Sequence, residues 1–178
     1  MKTMTAHCDI GLFQTNHYQQ FFELVDKNRN RLGNFFTTTL KKTESLASTK
    51  VYCDEITQKT AEKSFFVFAI TSLETNDMIG YIDVKNIDWQ NSEAELGYFA
   101  DSCIEGTGAM HQGLMYVLNW LATETDLQTA FCRIHESNTR SVKLAERAGF
   151  SFKEILVNNY LQPDGITVDL CKYTKSLR

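Results

Sequence analysis

The pattern of apolar and polar positions predicts helices in the first third of the chain. Tyr18, Phe21 and Val25 recur at helical spacing within residues 15–36, and polar residues fill most of the positions between them. Residues 37–63 are polar and show no clear period, so they predict one or two helices without defined bounds. The sequence therefore predicts a helical segment ahead of the first recognisable strand.

The middle of the chain changes to a strand pattern. Aromatic and β-branched residues fill 64–71, and further strands are predicted over 78–87 and 93–99, after the polar segments 74–77 and 88–92. Connections this short join neighbouring antiparallel strands. The three strands are therefore predicted to form an antiparallel meander.

The second half alternates helices and strands. An apolar stripe from Met110 to Leu121 predicts a helix that begins at Ala109. Because this helix lies between two strands, the crossover predicts that those strands are parallel. The remaining predicted elements are a strand (130–135), a short helix (138–148) and a final hairpin (152–161 and 166–173).

Composition narrows the class of protein. The 178 residues are 43% hydrophobic and 22% charged, which is typical of one globular domain over residues 1–178. The net charge of −4 is spread along the chain and speaks against a nucleic-acid-binding scaffold. The longest apolar run, residues 65–70, is far shorter than the roughly 18 residues of a membrane span. With no secretory signal pattern at the start, we expect a cytoplasmic location.

The cysteines and histidines do not predict a metal site or a disulfide framework. The five cysteines are odd in number and far apart, and the four histidines include no pair at positions i and i+4. Zinc sites in proteins usually show closely spaced ligands of these types. We therefore expect chemistry that uses no metal.

A glycine turn between a strand and a helix predicts an anion site. Gly106 and Gly108 stand directly before the helix that begins at Ala109. Glycine allows a tight turn and a close approach of the backbone to a ligand. The first amides of a helix lack partners within the helix and attract phosphate. The turn therefore predicts a phosphate-bearing ligand.

Four stretches in this order resemble a known family. They are Ala94-Glu-Leu-Gly-Tyr-Phe99, Glu105-Gly-Thr-Gly-Ala-Met110, Asn138-Thr-Arg-Ser141 and Ala148-Gly-Phe150. They resemble the GNAT acetyl-CoA N-acetyltransferases, and more narrowly the ribosomal-protein N-terminal acetyltransferases of the RimJ/RimL type. Asn28-Arg-Asn-Arg-Leu32 is similar to a run of that branch. The likeness covers nearly the whole chain.

The resemblance implies the fold and the place of the cosubstrate. The fold would be the α+β GNAT (acyl-CoA N-acyltransferase) fold, a mixed, mostly antiparallel sheet of about seven strands with a central splay, flanked by helices. The pantetheine arm of acetyl-CoA would lie in the splay. Phe99 and Ala100 would offer it backbone groups, and Asn138 and Ser141 would lie near the thioester. The pyrophosphate would be wrapped by Glu105, Gly106, Thr107, Gly108, Ala109 and Met110.

Two positions depart from the family pattern. The family loop usually starts with Gln or Arg where this chain has Glu105, and a carboxylate that faces a pyrophosphate repels it by about 1 kcal/mol at 4 Å in water. The loop tolerates Glu105 if only its backbone contacts the ligand. Met110 stands where many members have Gly or Ala, and a methionine is common there in the RimL-like branch.

The implied reaction is attack of a neutral amine on the thioester. An α-amino group with a pKa near 8 needs about 1.4 kcal/mol for deprotonation at pH 7, and a lysine near 10.4 needs about 4.6 kcal/mol. A modest base acting through water would therefore suffice for a protein N-terminus. Glu95, beside the splay, is the candidate base. It could equally be a buried carboxylate that anchors its strand by hydrogen bonds.

The leaving thiolate needs a proton or a hydrogen bond. Ser141 could donate one from its hydroxyl, and it could also belong to the first turn of a helix that Asn138 caps. A backbone amide near Phe99 would stabilise the oxyanion. A rival mechanism through a Cys132 thiolate is disfavoured, because His135 would lie on the opposite face of the strand.

The predicted function is an N-acetyltransferase that moves acetyl from acetyl-CoA to a primary amine in a ternary complex. The alternative is a non-catalytic GNAT-fold module that binds coenzyme A as a sensor or binds a partner protein. The acceptor stays open between a ribosomal or other protein N-terminus, a polyamine, an antibiotic and a small metabolite. The final hairpin could pair with a second subunit to form a homodimer, and the oligomeric state stays open. Trp89, Trp120 and Tyr160 could line an acceptor groove, although packing explains them as well.

Overall fold

The computed structural model describes residues 7–178, which form a seven-stranded sheet with helices on both faces. The strands are β1 (Cys8–Leu12), β2 (Phe66–Ser72), β3 (Met78–Asp88), β4 (Glu93–Ala100), β5 (Thr129–Ile134), β6 (Ser151–Leu161) and β7 (Thr167–Ser176). The helices are α1 (Tyr18–Leu32), α2 (Thr37–Lys42), α3 (Leu46–Ala61), α4 (Ala109–Glu124) and α5 (Thr139–Arg147). Thr15–His17 and Ser102–Ile104 are single 3₁₀ turns.

The sheet has the strand order β1-β2-β3-β4-β5-β7-β6. Among the strands of residues 7–178, only β4 and β5 run parallel, and every other neighbouring pair is antiparallel. The predicted meander (β2, β3 and β4), the α4 crossover and the final hairpin are all present. The predicted α+β fold with a mixed, mostly antiparallel sheet is therefore confirmed.

The parallel pair β4–β5 opens into a splay. Its register joins Glu93 to Thr129, Ala94 to Ala130 and Glu95 to Phe131, and no further pairs follow. Both strands continue past this point, β4 to Ala100 and β5 to Ile134. The two strands therefore separate just after Glu95 and leave one edge of β4 without a neighbouring strand.

Two hydrophobic clusters hold the helices against the sheet. The first packs α4 against the sheet, with Leu114, Val117 and Leu121 fully buried. The second packs α1 and α3 against the other face, where the Tyr81 ring stacks between Phe21 and Phe99 at centroid distances of 5.2 and 5.0 Å. This packing fixes the start of α4 and the outer end of β4 relative to each other.

Several element bounds differ from the sequence-based expectation. The strand β1 was not predicted, because its five residues include Asp9 and Gly11 and it pairs only at the sheet edge with β2. The ambiguous segment 37–63 forms two helices, α2 and α3. Ser45 caps α3 by accepting a hydrogen bond from the Ser48 amide. The first helix ends at Leu32, followed by Gly33, rather than at residue 36.

Across residues 7–178, each helix is too short or too polar to cross a bilayer.

Candidate active site

The glycine turn places free backbone amides at the start of α4. Gly106 and Gly108 have φ values of +79° and +86°, which residues other than glycine rarely adopt. Gly108 is the N-cap of α4. Within residues 7–178, the amides of Gly106, Gly108, Met110 and His111 have no hydrogen-bond acceptor. Together with the positive end of the helix dipole, these free amides are suited to an anion.

Thr107 supports this turn from within. Its hydroxyl donates to the Ile104 carbonyl at 2.8 Å and accepts from the Ala109 amide at 3.3 Å. The Ala109 amide is therefore already partnered, unlike its neighbours. Of the predicted turn residues, Glu105, Gly106, Gly108 and Met110 line the cavity described next, and Thr107 and Ala109 lie behind it.

A cavity of about 880 Å³ runs from the glycine turn to the splay. The predicted residues Phe99, Ala100, Asn138 and Ser141 line it. Four cationic residues line it that were not predicted as site residues from the sequence, namely Arg31, Arg140, Lys143 and Arg147. Arg31 belongs to the run that resembles the RimJ/RimL branch, and this was the available signal for it. Free amides, cations and a long apolar trough together fit a ligand with phosphates at one end, as in acetyl-CoA.

The start of α5 forms the wall opposite β4. The Asn138 side chain accepts a hydrogen bond from the Ser141 amide at 3.2 Å and so caps the helix, as predicted. The Tyr98 hydroxyl donates to the Ser141 carbonyl at 2.9 Å and ties β4 to α5. Ser141 borders both this cavity and a smaller one.

The smaller cavity, of about 120 Å³, lies at the base of the splay. Glu95 borders it with only 5% of its surface exposed. Arg133 donates to both Glu95 oxygens, to Oε1 at 3.0 Å and to Oε2 at 2.8 Å, and Asn86 donates to Oε2 at 2.6 Å. A carboxylate has about four acceptor positions, so three donors leave one position for a water molecule or an ammonium group.

Cys132 is fully buried beside this smaller cavity. Burial raises the pKa of its thiol well above the ordinary value, and the nearby Glu95 carboxylate raises it further. His135 also borders the cavity, but its Nδ1 atom pairs with the Ser137 hydroxyl at 2.7 Å. The thiol is therefore protonated at neutral pH, and no hydrogen bond joins it to His135. Direct attack by the amine is the better mechanism for this geometry.

The aromatic candidates separate into packing and cavity residues. Trp120 packs against Phe66 and Phe68 at centroid distances of 5.0 and 5.2 Å, whereas Trp89 is 44% exposed and lines neither cavity. Tyr160 borders the small cavity, and its buried hydroxyl has no partner within residues 7–178. Over the same residues, His, Cys, Asp and Glu form no group of three or more suited to a metal ion.

The chain matches the family model described as "Acetyltransferase (GNAT) domain" over residues 11–151. It belongs to the GNAT acetyltransferase family. The match begins in β1 and extends to the start of β6, and so includes the splay, the glycine turn and both cavity walls. The chain is accordingly an acetyl-transferring enzyme that uses acetyl-CoA. This outcome favours the enzyme over the sensor that the sequence left open.

Named relatives agree with this assignment, and a solved structure shows the same fold. The chain is 27% identical over 107 residues to the uncharacterized N-acetyltransferase p20 of Bacillus licheniformis, a match that spans 60% of each chain. It is 25% identical over 140 residues to the ribosomal-protein-serine acetyltransferase of Escherichia coli (strain K12), covering 76% of this chain and 74% of that one. The solved structure of RimL, a ribosomal L7/L12 α-N-protein acetyltransferase in complex with coenzyme A, has a TM-score of 0.86 at 19% identity and covers 98% and 96% of the two chains.

Proposed function

We propose that this GNAT enzyme acetylates the α-amino group of a protein N-terminus, with a ribosomal protein as the first candidate. The observation that carries the proposal is the small cavity at the base of the splay. Its buried carboxylate has one acceptor position left, and it lies beside the predicted thioester end. The names of the E. coli relative and of RimL point to the same class of acceptor.

The free edge of β4 supplies the backbone groups for the pantetheine arm. The Asp101 amide donates to the Ile79 carbonyl, so alternation along the ladder directs the amides of Phe99 and Gly97 towards β3. The amides of Tyr98 and Ala100 then point into the splay. In our proposal the contacts predicted for Phe99 and Ala100 therefore fall to Tyr98 and Ala100, and Phe99 contributes its ring to the wall.

The same edge supplies the oxyanion donor. The Tyr98 amide lies between the apex of the splay at Glu95 and the glycine turn, where the thioester carbonyl would lie. A backbone N–H that already points at the developing charge stabilises it without reorganisation, and one such donor is worth roughly 3 kcal/mol. The proposed electrostatic stabilisation therefore comes from the main chain.

Glu95 is the proposed base. Its carboxylate is held by Arg133 and Asn86, which fixes the direction of its oxygens. A water molecule at the remaining acceptor position would pass the proton from the amine. Because an α-amino group needs only about 1.4 kcal/mol for deprotonation at pH 7, this weak base suffices.

Ser141 is the proposed donor to the leaving thiolate. It borders both cavities, so its hydroxyl lies where it can turn towards the sulfur. The Tyr98 hydroxyl is less suitable, because it already donates to the Ser141 carbonyl. Burial raises the pKa of that hydroxyl strongly, which also disfavours proton loss.

The test is thiol release from acetyl-CoA with a panel of peptides that differ in their first residue. We expect turnover with free N-termini and none with the same peptides blocked by N-acetylation. Turnover with polyamines or with internal lysines alone would contradict the proposed acceptor. Glu95→Gln should lower kcat most at neutral pH and recover part of the loss as pH rises and the amine loses its own proton, whereas a purely anchoring carboxylate would lower stability and leave the pH profile unchanged.

A cytoplasmic location and a homodimer remain predictions. The edge strand β6 bears exposed apolar side chains at Phe152, Ile155 and Val157, which is compatible with pairing between subunits. Sedimentation equilibrium of the purified chain tests the dimer directly.

A further inference from the structure

Glu105 closes an ion-pair bridge over the phosphate end of the cavity. Its Oε1 atom accepts hydrogen bonds from Arg31 Nη2 and from Arg140 Nη1, each at 2.6 Å. Arg31 belongs to α1, Arg140 to α5, and Glu105 directly precedes the glycine turn. One carboxylate oxygen therefore joins three separate elements around the amides that would hold the pyrophosphate.

The charges around this bridge are unequal. Four cationic side chains line the large cavity, and Glu105 is the single acidic residue among its described lining residues. Arginine pairs at least as well with phosphate as with carboxylate, because its planar fork matches both geometries. The carboxylate thus occupies two cations that a phosphate group would otherwise engage.

Arg31 does not depend on Glu105 for its position. Its other terminal nitrogen, Nη1, donates to the buried Asn28 side chain at 2.9 Å and to the Ala100 carbonyl at 3.4 Å. Arg140 is more mobile in principle, since 75% of its side chain is exposed. If Glu105 moved away, Arg31 would stay at the cavity and Arg140 would be free to meet a ligand.

We propose that Glu105 is an internal competitor for the phosphate groups of coenzyme A. In the free enzyme it pairs with Arg31 and Arg140, and it must release at least Arg140 when a phosphate of the ligand binds. The residue therefore lowers affinity for both acetyl-CoA and the product coenzyme A, and it speeds product release. This inference rests on the binding of coenzyme A in the large cavity.

The opposite role for Glu105 makes the opposite prediction. If the carboxylate served to hold the arginines ready for the ligand, its removal would disorder them and weaken binding. The sign of the change in affinity therefore distinguishes competition from preorganisation.

The experiment is a titration of coenzyme A into the wild-type chain, Glu105→Gln and the control Glu154→Gln. The control also removes one negative charge, but Glu154 is exposed on β6 and lines neither cavity. We expect Glu105→Gln to bind coenzyme A about tenfold more tightly, through a slower dissociation rate, and the control to change affinity by less than about twofold. Melting temperatures of all three proteins verify folding.

A ligand without phosphates tests whether Glu105 changes affinity through the phosphate groups. Acetylpantetheine has no phosphate, so its affinity should be the same in the wild type and in Glu105→Gln. Arg140→Gln should weaken coenzyme A binding, and more strongly in the Glu105→Gln background, where the arginine is free to contact the ligand. Weaker coenzyme A binding by Glu105→Gln, or an equal gain for acetylpantetheine, would overturn the proposal.

The outcomes separate this inference from the proposed function. If the wild type binds coenzyme A and acetylates N-terminal peptides but Glu105→Gln binds no more tightly, only the competitor role fails. If Glu105→Gln binds coenzyme A more tightly and no peptide is acetylated, the competitor role stands and the proposed acceptor fails. If neither the wild type nor Glu105→Gln binds coenzyme A, both the competitor role and the proposed function are wrong.

Discussion

Replacing Gly108 by asparagine should block the phosphate site while leaving the fold intact. Gly108 has a φ of +86°, and a Cβ added there meets no atom of residues 7–178 within 4 Å. Asparagine is among the few residues that tolerate this left-handed conformation. Because Gly108 lines the large cavity, we expect the new side chain to enter the space that a phosphate would occupy.

The magnitude follows from the amides that would be covered. An asparagine side chain that excludes the ligand from two of the four free amides removes two hydrogen bonds to a charged group, each worth roughly 1.5–3 kcal/mol. We therefore expect coenzyme A to bind about a hundredfold more weakly or worse. The strain at the turn should cost about 1 kcal/mol, which lowers the melting temperature by about 2–4 °C for a chain of this size.

Gly165 provides a matched control. It has nearly the same φ, +85°, and the same open surroundings, but it lies in the turn between β6 and β7, away from both cavities. Gly165→Asn should reproduce the loss of stability and leave affinity unchanged. Calorimetric titration with coenzyme A and thermal unfolding measure the two effects. Equal losses of affinity in both variants, or none in Gly108→Asn, would refute the assignment of the turn as the phosphate site.

Three further predictions concern packing and buried thiols. A Cβ at Gly113 would overlap the Ile70 side chain, so Gly113→Ala should lower the free energy of unfolding by about 1–2 kcal/mol even after its gain in helix propensity. Ile70→Val should recover part of that loss in a double-mutant cycle measured by urea unfolding. Additive losses from the two substitutions would contradict this prediction. Burial raises the pKa of the Cys53 thiol from 9.0 to about 12. Above pH 9 the folded chain therefore keeps a proton on Cys53 that the unfolded chain loses. The free energy of unfolding should fall as pH rises from 9 towards 12, by up to about 1.4 kcal/mol per pH unit. The fall should be shallower in Cys53→Ala. Exposed Cys103 should react with iodoacetamide well before buried Cys132, which peptide mapping by mass spectrometry measures. Cys132→Ala should retain acetyl transfer. Loss of activity in a folded Cys132→Ala variant would support the mechanism through the thiol.

The local elements near the site could be predicted because short-range physics decides them. The left-handed glycines, the Asn138 cap and the apolar stripe of α4 each depend on residues a few positions apart. The order strand, glycine turn, helix and strand was enough to predict the parallel pair and the anion site. The segment 37–63 was harder because α3 shows little segregation of apolar residues along its length, although it packs against α1.

Long-range charge pairing could not be predicted from sequence. Glu95 and Arg133 are 38 positions apart, and Arg31 and Glu105 are 74 apart. The sequence marked Glu95 as a candidate base and Glu105 as unfavourable near a phosphate, but it gave no partner for either carboxylate.

The sequence by itself determined the order of the main strands and helices after residue 63, the family likeness and the place of the glycine turn, because periodicity, glycine and capping residues act over one or two turns of chain. The tertiary structure alone decided which charges meet. It showed that Arg133 holds Glu95 at the apex of the splay and that two arginines neutralise Glu105 at the phosphate end. The physical reason is that an ion pair depends on distance in space, and only the folded sheet and its helices bring these distant residues within hydrogen-bond reach.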